Sequence, residues 1–146
     1  MPKKIFVWGT FDLLHVGHRR FLQAARGFGD QLYVVVVPDK AVVENKGRKP
    51  IHDERTRCQR VQSLDYVTTA FIDSFEQGLR SVEKIRPSMV CLGYDQSEVW
   101  SKRLVKLLAS KGLHPEFRRL EKYAEVHTSQ LIQTTTKDKQ GQPTTV

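Results

Sequence analysis

The run from Leu32 to Val37, Leu-Tyr-Val-Val-Val-Val, most tightly limits how this chain can fold. A strand with one wetted face alternates apolar and polar residues, whereas an unbroken, β-branched run needs cover on both faces. It therefore belongs in the middle of a sheet with helices on either side. Ile5 to Trp8, Tyr66 to Ile72, Met89 to Leu92 and Pro115 to Leu120 read as further strands. The stretches between them have helical spacing. One runs from about His18 to Gly27 with Phe21, Leu22 and Ala25 turned inward, and another starts near His52-Asp53, with Asp53 as N-cap and Val61 and Leu64 inside. Phe75, Leu79, Val82 and Ile85 mark a third, ended by Pro87; Trp100, Leu104, Leu107 and Leu108 mark a fourth, stopped at Gly112. Strand and helix alternate throughout, which predicts an α/β fold of three layers around a central, mostly parallel sheet.

With 146 residues the chain fits one domain, expected to span residues 1–133. Residues 134–146, rich in Thr, Lys, Gln, Gly and Pro, lack core-forming residues and are expected to be a disordered tail. No apolar run approaches the roughly 20 residues of a membrane span. The opening Met-Pro-Lys-Lys is not built like a signal peptide, so the expected location is cytoplasmic. Cys58 and Cys91 have neither metal-ligand spacing nor a disulfide framework and read as small buried hydrophobes. A net charge of +8 favours acidic partners. These could be nucleic acid, an anionic membrane or small polyphosphates, and charge alone does not choose among them; the cations are spread over several helices without an RNA-binding signature, and neither a nucleic acid nor a membrane is the expected partner. A non-catalytic nucleotide- or RNA-binding module is the competing class.

The chemistry concentrates in Gly9-Thr10-Phe11-Asp12-Leu13-Leu14-His15-Val16-Gly17-His18. Two histidines three residues apart, just after a strand and a Gly-Thr turn, face one side of a helical turn at the carboxyl end of the sheet. Gly9 lets the main chain pass close to a phosphate, and Gly17 keeps the next turn clear. The arrangement suits a nucleoside triphosphate. Further on, Asn45-Lys46-Gly47-Arg48-Lys49-Pro50 reads as a loop with three cations around a glycine.

This opening segment closely resembles the Gly-x-Phe-Asp-x-x-His-x-Gly-His signature of the cytidylyltransferase-like nucleotidylyltransferases. The resemblance implies a Rossmann-like fold and transfer of a nucleoside monophosphate from an NTP to a phosphorylated small molecule, with release of pyrophosphate. It implies that His15 and His18 hydrogen-bond phosphate oxygens, and that Lys46 sits on a mobile loop over the phosphates. Thr10 and Phe11 would offer amides to the α-phosphate. Arg48 and Arg55 would lie near the acceptor or the phosphates. Asp12 could help hold Mg²⁺, orient His15 or cap the turn, and the orienting role is preferred. His127-Thr128-Ser129 resembles the second family signature, with hydroxyls and free amides at a helix N-terminus.

Lys46-Gly47-Arg48-Lys49-Pro50-Ile51 and Leu92-Gly93-Tyr94-Asp95-Gln96 look most like their counterparts in archaeal-type FAD synthases, which transfer AMP from ATP to FMN. Gly93, Asp95 and Gln96 would then contact the base, and Tyr94, Trp100 or Tyr123 could stack on a ring. Glycerol-3-phosphate cytidylyltransferases, which use CTP, share the first motif and are the alternative, with the heptose-phosphate adenylyltransferase domain a third neighbour. By the same resemblance a divalent cation, Mg²⁺ or another, accompanies the NTP, and a homodimer is expected.

Overall fold

The computed structural model of the chain describes residues 2–74, 80–93, 96 and 98–120. Its strands are β1 (Lys4–Gly9), β2 (Gln31–Val36), β3 (Thr69–Ile72), β4 (Met89–Leu92) and β5 (Glu116–Arg119). Its helices are α1 (Val16–Arg26), α2 (Asp39–Lys46), α3 (Glu54–Gln62), α4 (Arg80–Ile85) and α5 (Glu98–Ser110). Among the described residues the strands form one sheet in the order β3-β2-β1-β4-β5. Every pairing is parallel, with Phe6 opposite Tyr33 on one side and Val90 on the other.

Side chains alternate across each strand, so the apolar runs feed two cores at once. Ile5, Val7, Leu32, Val34 and Val36 pack with Leu22 and Ala25 of α1 and Val61 of α3. Phe6, Trp8, Val35 and Val90 face the other way, against Val82 and Ile85 of α4 and Leu104 and Leu108 of α5. This is the three-layer arrangement that the Leu32–Val37 run demands. Among the described residues β5 lies at the edge of the sheet, and it keeps Glu116, Arg118 and Arg119 exposed, charges of the kind that blunt an edge against further pairing.

Some elements differ from the sequence reading. Helix α1 begins at Val16, two residues before the expected start, because His15 caps it. Strand β3 begins at Thr69 instead of Tyr66: after α3 the Leu64 and Val67 N–H groups donate to Val61 and Leu64 carbonyls, a turn that delays the strand. Helix α2 falls on a segment with no apolar period, since Val42 is its one buried residue. Pro38 precedes it, and Gly47 ends it with φ of 74°, a left-handed conformation that glycine takes without strain. Lys46 thus closes a helix, and the loop begins one residue later. Gly112 ends α5 in the same way, with φ of 76° and a Leu113 N–H to Leu108 carbonyl bond of 2.8 Å. Phe75 and Leu79, the 127–129 signature and the expected tail lie outside the described residues.

The chain leaves β1 for β2 on one side and returns through β4 on the other, so the strand order reverses at β1. In open α/β sheets the crevice beyond the carboxyl ends of strands at such a reversal is where ligands bind.

Candidate active site

A cleft of about 640 Å³ opens at that point. Its floor is Trp8 to Leu13 at the end of β1; one wall is His15, Gly17, His18 and Phe21 of α1, and over it lie Asn45, Lys46, Arg48, Lys49, Pro50 and Ile51. Gly93, Gln96 and Trp100 border it on the β4–α5 side.

The two histidines are locked to each other. His15 is the N-cap of α1, and its Nδ1 accepts from the N–H groups of Gly17 (3.0 Å) and His18 (3.4 Å). In return the His15 N–H donates to His18 Nδ1 at 3.4 Å, completing a capping box built from imidazoles. The rings stack with centroids 3.8 Å apart and planes 19° from parallel. A neutral imidazole whose Nδ1 accepts a hydrogen bond must carry its proton on Nε2. Burial lowers the His15 pKa, and burial, then the neighbouring His15 and Lys46, push His18 down to about 3. At neutral pH both rings are therefore uncharged Nε2–H donors.

Phe11 stands behind the pair, edge-on to His18 with ring centroids 5.5 Å apart. It also explains Gly9, because a Cβ there would meet the Phe11 ring at 2.9 Å. Phe11 and Leu13 take positive φ, 53° and 51°, so the loop after β1 is tightly wound and strained at two non-glycine residues.

Asp12 does not orient His15. Its carboxylate accepts from Ile51 N–H at 2.7 Å and His52 N–H at 3.0 Å, fastening the basic loop to the histidine loop. Burial opposes ionisation of Asp12, but those two bonds, with the charges of His52 and Arg57, leave its pKa below the ordinary value. Gln96 joins the other border: its amide donates to the Trp8 carbonyl at 3.1 Å and its oxygen accepts from Gly93 N–H at 2.7 Å.

The structure thus gathers Gly9, Thr10, Phe11, Asp12, His15, Gly17, His18, Lys46, Arg48, Gly93 and Gln96 around one cleft. Arg55 is not among them, being exposed on α3 away from the cleft lining. Asp95, Tyr94, Tyr123, His127, Thr128 and Ser129 lie outside the described residues.

Two residues that hold the site together escaped the sequence reading. Arg57 is fully buried and donates to the carbonyls of Thr10 (2.8 Å), Val37 (2.9 Å) and His52 (3.0 Å). Its signal was available: position 57 lies four residues before Val61, on the inner face of α3. Arg119 reaches from β5 to the carbonyls of Gly93 (2.7 Å) and Gln96 (2.9 Å), and nothing in its local sequence announced this.

Among the described residues no three His, Cys, Asp or Glu are grouped to hold a metal ion, and no helix is long and apolar enough to cross a membrane.

Comparison with known proteins agrees with this geometry. The chain is 37% identical to the FAD synthase of Pyrococcus abyssi over 118 residues, covering 80% of this chain and 79% of that protein. It is 38% identical to the FAD synthase of Ferroglobus placidus over 120 residues, 81% and 76% of the two chains. The crystal structure of a lipopolysaccharide core biosynthesis protein from Thermoplasma volcanium superimposes with a TM-score of 0.74 at 30% identity, covering 84% of this chain and 99% of that one. The cytidylyltransferase-like family model matches residues 6–134, and the chain, with its locked histidine pair at the reversal of the sheet, belongs to the cytidylyltransferase-like family.

Proposed function

We propose that this protein is a nucleotidylyltransferase that moves AMP from ATP to FMN, giving FAD and pyrophosphate. The carrying observation is the stacked His15–His18 pair, whose rings border the cleft and whose Nε2–H groups have no hydrogen-bond acceptor among the described residues. The choice of ATP and FMN rests on the two FAD synthase relatives.

An oxygen of the FMN phosphate attacks the α-phosphorus of ATP. The new P–O bond forms as the bond to the bridging α–β oxygen breaks, and pyrophosphate leaves with that electron pair. A phosphate monoester is already ionised near neutral pH, so no strong base is needed. Catalysis rests on in-line positioning and on donors aimed at the charge that builds on the phosphate oxygens. His15 and His18 supply neutral donors, which need not lose or gain a proton during the step. Thr10 and Phe11 offer main-chain amides, and Lys46, with Arg48 and Lys49 behind it, neutralises the leaving pyrophosphate.

Both Asp12 oxygens already accept main-chain N–H groups, so the described residues suit a cation that arrives with the nucleotide. Mg²⁺ behaves in this way, keeping phosphate and water oxygens as ligands. When bound it would offset charge on the triphosphate. We place Asp95 and the 127–129 signature at the nucleotide, residues 1–133 as the catalytic domain, and the enzyme in the cytoplasm as a homodimer. These assignments follow the family resemblance, and no nucleic acid or membrane takes part.

The test is a pyrophosphate-release panel crossing ATP and CTP with FMN, glycerol-3-phosphate, phosphocholine and a sugar phosphate. Release with ATP and FMN alone supports the assignment. A signal confined to CTP overturns it.

A further inference from the structure

Among the described residues six large apolar side chains are exposed, and two of them, Leu13 (48%) and Ile51 (67%), stand on the lip of the cleft. Ile51 is the most exposed of the six. Its main chain is tethered there, because its N–H donates to Asp12, the residue next to Leu13, at 2.7 Å. Leu13 has φ of 51°, a conformation that costs energy in any residue with a side chain of this size. Two apolar side chains thus stay exposed on main-chain segments that a strained residue and a carboxylate tether hold at the cleft, against their solvation preference. Apolar groups kept exposed beside a binding cleft mark a ligand surface.

The neighbours say which ligand. Pro50 continues the apolar lip, and just before it stand Arg48 and Lys49 of the same loop and Lys46 at the end of α2. The opposite border of the cleft carries Trp100 beside the Gln96 amide, which is bonded between Gly93 and Trp8. An apolar lip against a cluster of cations fits a molecule with a flat apolar ring at one end and a phosphate at the other. Glycerol phosphate, phosphocholine and sugar phosphates have the second feature and lack the first.

We propose that Leu13 and Ile51 form the seat for the planar ring of the acceptor and so determine acceptor specificity, an inference that rests on the FMN reading above. The phosphate of that acceptor then lies toward the cations and the histidine pair. Water is excluded from both side chains only when the ring is in place.

The test uses Leu13→Asn, since asparagine tolerates the left-handed conformation, Ile51→Ser, and the double variant. Both side chains are exposed, and thermal unfolding checks that the fold is kept. Fluorescence titration with riboflavin, which has the ring without the phosphate, reports seating of the ring apart from transfer; FMN is titrated in parallel. The double variant is expected to raise Kd for both flavins about tenfold or more while KM for ATP stays within about twofold. Unchanged flavin affinity in the double variant overturns the proposal. If the wild type binds riboflavin and the double variant does not, yet no FAD is formed, the ring seat stands and the transfer assignment fails. If the wild type binds neither flavin, the ring seat falls even where transfer to another acceptor is found.

Discussion

Arg57, with no exposed surface, donates to Asp39 Oδ1 at 2.7 Å, while its remaining nitrogens reach the carbonyls that follow β1, follow β2 and precede α3. One side chain therefore holds the histidine loop, the start of α2 and the start of α3 in register. Arg57→Met leaves three carbonyls without their charged donor and is expected to cost about 3–5 kcal/mol, measured by urea unfolding. Asp39 is partly exposed, so water replaces its partner and Asp39→Asn is expected to cost about 1 kcal/mol. Equal losses in the two variants contradict this ordering.

Asp12 acts on the basic loop from outside it. Asp12→Ala frees the Ile51 and His52 N–H groups and loosens the loop that follows Lys46 beside the cleft. KM for ATP is expected to rise and kcat to fall together, by about tenfold each, as for other loops that close over substrate. Lys46→Ala should shift both constants in the same directions. A change in thermal stability with unchanged kinetics removes Asp12 from the functional account.

The histidine pair makes stability depend on pH. His18 titrates near 3 when folded and near 6.5 when unfolded, so between those values the unfolded chain binds more protons. The stabilisation from keeping the ring neutral is complete above pH 6.5 and is lost as pH falls toward 3, by at most about 1.4 kcal/mol per pH unit. His15, also lowered, acts in the same direction. Urea midpoints of the wild type should drop between pH 6.5 and 4.5 more steeply than those of His18→Asn. Parallel curves contradict the burial of a neutral His18.

The sheet was legible because Leu32–Val37 and Ile5–Trp8 are buried on both faces, a pattern that only a covered central strand produces. Helix α2 was not, because Val42 alone reaches the core and no stripe betrays it. The histidines that line the cleft were singled out from a local motif that carries its own turn chemistry, and Lys46 from the resemblance of its segment to the family's. The role of Asp12 was misread because its partners, Ile51 and His52, lie about 40 residues away in sequence. Arg57 and Arg119 act through main-chain carbonyls from distant strands, and a carbonyl has no identity in a sequence. Leu13 and Ile51 look like ordinary apolar residues until their exposure is known.

The central claim is that neutral imidazole donors at the end of β1 stabilise AMP transfer from ATP to FMN. Single-turnover formation of FAD, with ATP and FMN saturating, measures this step in the wild type and in His18→Ala. The account predicts a rate lower by about a hundredfold or more in the variant, with ATP affinity changed far less. A variant that forms FAD at the wild-type rate contradicts it.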